Sequence, residues 1–335
     1  LRYSRLARAI YADYSDKIEA FGLDENWIDL TGGVRSISEG ERVAQQIRLR
    51  VKEELGVTVS VGVSWNKVFA KLGSDYQKPD AVTEFNRTNY KEKIWPLPVD
   101  ALLYVGRATS RKLHERSVHT IGQLATADPE RLHAWFGKCG YVLYGFANGL
   151  DSTPVMRSDE EALIKSIGNS TTTPRDLVSN EDASIVYYML AESVAERLRE
   201  HGFLASTVQI SLRTNELFCF ERQMKLKRPS CLASELHEAA MALLRANYAW
   251  QKPLRSIGIR ATDLMPERAP TQLTLFADEE RRLRQERLER AVDEIRGRFG
   301  HFAICRAVCT TDKTLNNISP RDDHVIHPVG YFKAV

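Results

Sequence analysis

The sequence has little that would tie it to a membrane, a metal cluster or an oxidising compartment. Its five cysteines, at positions 139, 219, 231, 305 and 309, are scattered and form no Cys-x-x-Cys pair, which argues against a zinc site or a disulfide framework. Cys305 and Cys309 can face one way on a helix, but reduced, buried thiols of a cytoplasmic protein are the simpler reading. No apolar run is long enough to span a bilayer and no secretory signal opens the chain. There are no internal repeats and no low-complexity tract. The net charge is only +3, which allows an anionic partner without demanding one. An initiator Met is also lacking. The chain opens on LRYSRLARAIYADYSDKIEAF, read as an amphipathic helix with Leu6, Ile10 and Tyr14 at helical spacing, so an upstream element is expected to be missing.

At 335 residues, with 43% hydrophobic and 27% charged residues, the chain has the composition of a globular protein of two or three domains. Its first section alternates helix and strand: the opening helix, a strand at FGLDENWIDLT, a helix over 38–55 stopped by Gly56, a strand at VTVSVGVSW and a short helix ended by Pro79. From about 92 to 157 the pattern is helical and punctuated; residues 102–137 read as two short helices joined by turns, with Thr120 and Asp128 as N-caps and Pro129 at a first helical position. Residues 162–264 read as βαββαβ: a strand at ALIKSIGNS, a helix, two strands about Asn215-Glu216, a second helix and the strand LRSIGIRATDL. The charged helix near 279–300 offers only Leu283, Leu288, Val292 and Ile295 as an apolar stripe and reads as mostly solvated.

Asp24 and Glu25 stand side by side at the head of the FGLDENWIDLT strand. Strand neighbours point to opposite faces, so one carboxylate would face inward, at a cost that a bound cation removes. Oxygen ligands suit Mg²⁺, which also bridges nucleotide phosphates; a turn with two solvated acids is the competing reading. Lys67, Lys71 and Lys78 cluster in SVGVSWNKVFAKLGSDYQKPD, either to hold a triphosphate as point charges or as a solvated basic face. Arg213, Arg222, Lys225, Lys227, Arg228, Arg255 and Arg260 crowd the third section, where alternation would set several on one phosphate-binding face, opposite Phe218 and Phe220; a solvated sheet face is the alternative. Gln272-Leu273-Thr274-Leu275-Phe276 could place three apolar side chains in a partner's pocket with Gln272 hydrogen bonding, or pack them on its own domain.

Several of these stretches, in order, resemble one family. LDENWIDLTG and SVGVSWNKVFAKLGSDYQKPD look like the palm of the Y-family translesion DNA polymerases, the bacterial polymerase IV and UmuC-like group. LLYVGRATSRKLHERSVHTIGQLA and FGKCGYVLYGFANGLDSTPV are similar to its thumb, and KSIGNSTTTPRDL to the entry of its little finger. The resemblance covers about residues 1–277. It implies an α+β multidomain fold: a partial palm at 1–91, a helix-hairpin-helix thumb at 92–157, a linker at 158–164, a βαββαβ little finger at 165–268, and a clamp-binding peptide with a helical tail at 269–335. It implies that Asp24 and Glu25 are the adjacent catalytic pair that binds Mg²⁺, two ions in the intact enzyme. Lys78 would contact the incoming triphosphate, the amides beside Gly106 would approach a DNA phosphate, and Lys165, Arg213, Arg222 and Lys225 would hold DNA. Gln272, Leu273, Leu275 and Phe276 would engage a bacterial sliding clamp. The implied partners are primer-template DNA, deoxynucleoside triphosphates and that clamp, with no membrane, for a cytoplasmic monomer. Departures stand beside this. The family's third metal-binding carboxylate, its ribonucleotide-excluding aromatic and its fingers fall before Leu1, so an N-terminally truncated and inactive polymerase is expected. Gly22 replaces the usual Ser, and Tyr104 the first glycine of the hairpin. A DNA- and clamp-binding module without synthesis is the rival expectation.

Overall fold

The opening helix stops well before its pattern suggests. α1 (Arg2–Ala12) gives way at Asp13-Tyr14-Ser15-Asp16 to the hairpin of β1 (Ile18–Phe21) and β2 (Glu25–Ile28), antiparallel with Phe21 opposite Glu25. Polar residues that compete for backbone hydrogen bonds end the helix, and Ser15 donates its hydroxyl to the Asp29 carbonyl, 2.7 Å. The computed structural model describes residues 1–160, 163–269, 279–316 and 318 and divides into two compact units, one built on residues 1–162 and one on 163–326.

In the first unit, α2 (Ile37–Leu55) starts at Ser36 rather than Ser38: the Ser36 hydroxyl accepts from the Glu39 amide, and the Glu39 carboxylate accepts from the Arg35 amide. Gly56 closes it in the left-handed region. Its buried Ile47 and Val51 pack with Ile10, Tyr11 and Ile18. The run at 57–65 yields only the short β3 (Val61–Val63), because its parallel partner β4 (Val82–Glu84) is equally short. α3 (Lys67–Tyr76) lies directly on β3. A Cβ on Gly62 would fall 1.9 Å from the Ala70 carbonyl oxygen and one on Gly73 2.9 Å from the Gly62 Cα, so helix and strand meet backbone to backbone.

After α4 (Tyr90–Ile94) come α5 (Arg107–His114), α6 (Ile121–Thr126), α7 (Pro129–Phe136) and α8 (Lys138–Ala147). Residues 102–137, expected to hold two helices, hold three, α5, α6 and α7, since the Thr120 and Asp128-Pro129 starts each open a separate one. Thr120 forms a reciprocal capping box with Gln123, and the Asp128 carboxylate accepts from the Glu130 amide. Leu113, Ile121, Leu124 and Leu132 share one buried cluster with Phe69 and Leu72 of α3, so these helices and α3 are set by the same core.

The second unit realises the βαββαβ order: β5 (Ile167–Leu177), α9 (Asn180–Glu200), β6 (Phe203–Thr214), β7 (Cys219–Ser230), α10 (Ala233–Asn247) and β8 (Leu254–Pro266). The antiparallel sheet runs β5-β8-β6-β7. β5 continues past its expected end to Leu177, and Pro174 is tolerated there because β5 is an edge strand. Val208, Ile210, Leu212, Ile257 and Ile259 are buried with Val186, Leu190, Leu236 and Leu244 of α9 and α10.

α11 (Glu279–Phe299) is mostly solvated, as the sequence suggested, and buries one residue. Its Glu289 is buried: the carboxylate takes the Arg199 guanidinium at 2.7 Å and accepts from the Ala233 amide at 3.0 Å. Leu232, the N-cap of α10, has no capping side chain, so Glu289 caps α10 from another helix. Asp293 also binds Arg199, while Arg296 and Arg306 both hold Glu192. Tertiary ion pairs, invisible to an apolar-stripe count, dock this helix. The buried-thiol expectation holds only for Cys231 and Cys309; Cys139, Cys219 and Cys305 are exposed.

Candidate active site and nucleic-acid surfaces

The two adjacent acids stand at the head of β2, as the sequence suggested, but FGLDENWIDLT is not one strand. They sit at the exit of a hairpin turn, Gly22-Leu23-Asp24, between β1 and β2. Gly22 stands at φ +85°, a backbone that Gly adopts freely and that lets the chain reverse. Strand alternation is therefore broken at Asp24, and neither carboxylate enters a core: Asp24 is exposed and Glu25 half-buried.

α3 sets Lys71 against Glu25. Lys71 Nζ lies 3.0 Å from Glu25 Oε1 and 2.5 Å from Asp75 Oδ2. Burial disfavours the Lys71 ammonium, but its bonds to Asp75 and Glu25 outweigh that and hold its pKa above the usual lysine value. Burial likewise works against the Asp75 carboxylate, and the hydrogen bonds from Lys71 and Lys78 overcome it, lowering its pKa. Lys78, the lysine expected to hold a triphosphate, is exposed and pairs with Asp75 at 2.5 Å. Lys67 belongs elsewhere: it is buried, bound to Glu19 and set over the Trp27 ring at 5.1 Å. It braces the hairpin from behind and faces no open space for a phosphate. Sequence reasoning passed over Lys71 as one of three alike and missed Asp75 and Glu19. The i,i+4 and i,i+3 spacing of Lys71, Asp75 and Lys78 was the available signal.

Among the described residues no three His, Cys, Asp or Glu side chains are grouped so as to hold a metal ion. Asp24 and Glu25 are a two-carboxylate set. That donor chemistry fits Mg²⁺, which keeps several waters and is bound through one or two carboxylates plus substrate phosphates.

Gly106 is the N-cap of α5, extended at φ −76° and ψ 174°, with nothing within 4 Å of a Cβ placed there. The first-turn amides that follow have no intrahelical carbonyl to bond and suit an anion. A cavity of about 580 Å³ adjoins them, lined by Gly106, Arg107, Ser110, Arg111 and His114 among others. Tyr104 takes φ +68°, exposed, its ring 5.9 Å from Phe146. A tyrosine thus carries the left-handed turn that glycine would make without strain.

In the second unit, register sorts the basic residues. Gln209 pairs with Arg260 and Gln223, Arg213 with Ser256 and Cys219, and Thr207 with Lys225. Paired residues share a face, so Arg213, Lys225 and Arg260 lie together on the face opposite the helices, all exposed. Arg222 does not join them. It pairs with Ile210, whose side chain enters the core, and its guanidinium lies 5.2 Å over the Phe220 ring. The expectation that Arg222 faces away from Phe220 is corrected: two residues apart on one strand, they point the same way. Arg228 is committed to Glu279. Lys165 is exposed two residues ahead of β5, outside the paired register. The peptide residues Gln272, Leu273, Leu275 and Phe276 lie outside the described residues.

Comparison with known proteins accords with this arrangement. The impB/mucB/samB family matches residues 1–75, the family described as DNA polymerase-iota, thumb domain, matches 102–151, and the impB/mucB/samB family C-terminal domain matches 164–275. A solved Y-family DNA polymerase chimera of Dbh and Dpo4 shares the fold, with a TM-score of 0.66 and 21% identity over 79% of this chain and 76% of that one. The chain belongs to the Y family of translesion DNA polymerases, which are DNA-directed nucleotidyltransferases. Within that family it is similar to proteins called DNA polymerase IV. The identity is 49% to the protein of Acetivibrio thermocellus, over 95% of this chain and 79% of that protein. It is 34% to that of Pelotomaculum thermopropionicum and 35% to that of Moorella thermoacetica, each over 93% of this chain and 76% of the relative.

Proposed function

We propose that the intact protein extends a primer on a DNA template by nucleotidyl transfer, with Asp24 and Glu25 of this chain as Mg²⁺-binding carboxylates. The observation that carries the proposal is the hairpin turn itself, which sets two adjacent acids within reach of solvent while Lys71 of α3 stands against Glu25. When bound, Mg²⁺ makes the primer 3′ hydroxyl a better nucleophile and neutralises charge that builds on the departing pyrophosphate. The chain's own residues do the rest. Asp24 and Glu25 hold the metal, and Lys78 donates to the triphosphate. The first-turn amides of α5 beside Gly106 bind a backbone phosphate, and Arg213, Lys225 and Arg260, with Lys165, hold the duplex through its phosphates. These contacts fix register without reading bases, which suits a template of damaged sequence. On this reading the enzyme works in the cytoplasm as a monomer, and residues 272–276 deliver it to a sliding clamp.

Primer extension by the intact protein tests the proposal. Asp24→Ala or Glu25→Ala lowers extension by about 10³-fold or more, the equivalent of several kcal/mol of charge stabilisation, while primer-template affinity stays within about two-fold because those carboxylates meet no DNA phosphate directly. Extension that survives both substitutions overturns the catalytic reading and leaves the DNA-binding module. For the clamp peptide, Phe276→Ala abolishes clamp capture; unchanged capture removes that site.

A further inference from the structure

Four charges of alternating sign run from the hairpin turn along α3 and just past its end: Glu25, Lys71, Asp75 and Lys78. Each step is a direct contact, 3.0 Å from Glu25 to Lys71, 2.5 Å from Lys71 to Asp75 and 2.5 Å from Asp75 to Lys78. The inner two are each shared: Lys71 serves two acids, and Asp75 serves two lysines. Lys71 has its side chain only 17% exposed, on a helix pinned to β3 by the Gly62–Gly73 contact. It is therefore held within reach of both carboxylates.

A divalent cation at Glu25 needs the carboxylate that Lys71 occupies, and the two positive charges repel. Lys71 then has one partner left, Asp75. A carboxylate that holds Lys71 fully holds Lys78 less, because its single negative charge is divided between two ammonium groups. We propose that Lys71 and Asp75 are positioning residues that link cation binding at Glu25 to release of Lys78. Lys71 holds the Glu25 carboxylate that the metal would take, and Asp75 receives Lys71 when the metal binds. Neither touches substrate. The inference rests on the reading of Glu25 as a metal ligand and Lys78 as the nucleotide lysine, and adds an order to their use: the lysine is freed for triphosphate only once the cation is seated.

Terbium luminescence tests it without DNA, nucleotide or turnover. Tb³⁺ stands in for the divalent ion, Trp27, two residues along β2 from Glu25, sensitises its emission, and Mg²⁺ competition shows that the same site is filled. Lys71→Met removes the competitor and tightens Tb³⁺ binding about three-fold, the range of a partly exposed ion pair. Asp75→Asn leaves Lys71 only Glu25 to bind, and weakens Tb³⁺ by about the same factor. The double variant behaves like Lys71→Met, since Asp75 acts through Lys71. A residue that merely supports the fold would weaken binding in every variant, so the opposite signs are diagnostic, and Lys71→Gln gives the same sign as Lys71→Met should the latter fold poorly. Glu25→Gln loses the competed signal. If it does lose the signal while Asp75→Asn binds as tightly as wild type, or the double variant fails to follow Lys71→Met, the coupling is overturned and the metal-site reading stands. If Glu25→Gln keeps the signal, both fall.

Discussion

Charge is handled in opposite ways in the two units. At the hairpin turn of the first, Asp24 is exposed, Glu25 half-buried and each ion pair shared. In the second, Arg199 and Glu289 have side chains 5% and 6% exposed, with Asp293, Ala233 and Arg306 completing their partners. Charges that must exchange a protein partner for a ligand stay where water can replace the partner during the exchange. Charges that hold a segment in place are dried, so that losing one partner strands the other.

Removing one partner of the buried pair should give the largest effect. Arg199→Met leaves Glu289 charged and buried and lowers the stability of the second unit by about 3–5 kcal/mol, read as a fall in its denaturation midpoint. Lys71→Met, on the exposed network, costs less than about 1 kcal/mol. Equal losses would erase the contrast. The pair Arg199→Met with Glu289→Leu sharpens it: the ionic cost disappears, and what remains measures the cap that Glu289 gives α10, about 1 kcal/mol.

Gly62→Ala ranks next. The new Cβ meets the Ala70 carbonyl and the backbone at Ser74, neither of which can swing aside, so α3 must lift. Overpacking costs about 1–3 kcal/mol, here in the first unit. Because α3 carries Lys71 and Asp75, this variant should also abolish the opposite signs of the terbium experiment, whereas Arg199→Met should leave them intact.

A pH titration separates the units again. His237 stacks on Tyr188 with ring centroids 3.5 Å apart, beside the Ser184 hydroxyl, and burial pushes its imidazole down to about 4, with Arg306 and Arg245 adding to the effect. The folded state thus binds its proton later than the unfolded chain, whose histidine titrates near 6.5. Stability of the second unit should be full above about pH 6.5, fall as the pH drops toward about 4, and level off below it. His237→Phe should flatten that slope. Asp75, with its pKa lowered by Lys71 and Lys78, acts in the first unit only at more acid pH: its contribution is present above the usual carboxylate value and lost as pH falls through its lowered one.

What the sequence made legible follows from how local each signal is. The caps at Thr120 and Asp128 and the turn at Asn215-Glu216 are read from adjacent residues, and the structure repeats them. The hairpin at Gly22 was hidden because Trp27, Ile28 and Leu30, just after it, favour extended backbone, and one positive φ at Gly22 decides the outcome. The docking of α11 was hidden because its partners Arg199 and Glu192 lie roughly ninety and more residues earlier; periodicity reports apolar faces and is blind to a carboxylate that caps another helix. The role of Lys71 was hidden between two similar lysines, and only the distances separate the three.

The smallest expected effect tests the two faces of the little-finger sheet. Arg213, Lys225 and Arg260 share the open face by register, and Arg222 lies over Phe220 on the other. Each phosphate contact contributes about 0.9 to the slope of log affinity against log salt on duplex DNA. Arg213→Ala and Arg260→Ala should therefore each lower that slope by about 1 and weaken duplex binding alike on every sequence, because they touch no base edge. Arg222→Ala removes the same formal charge from the same sheet and should leave the slope within about 0.3 of wild type, since a charge on the far face reaches the backbone only through a screened field. Equal slopes for Arg213→Ala and Arg222→Ala would mean that net charge and not register governs the contact. The open face would then lose its claim to the duplex.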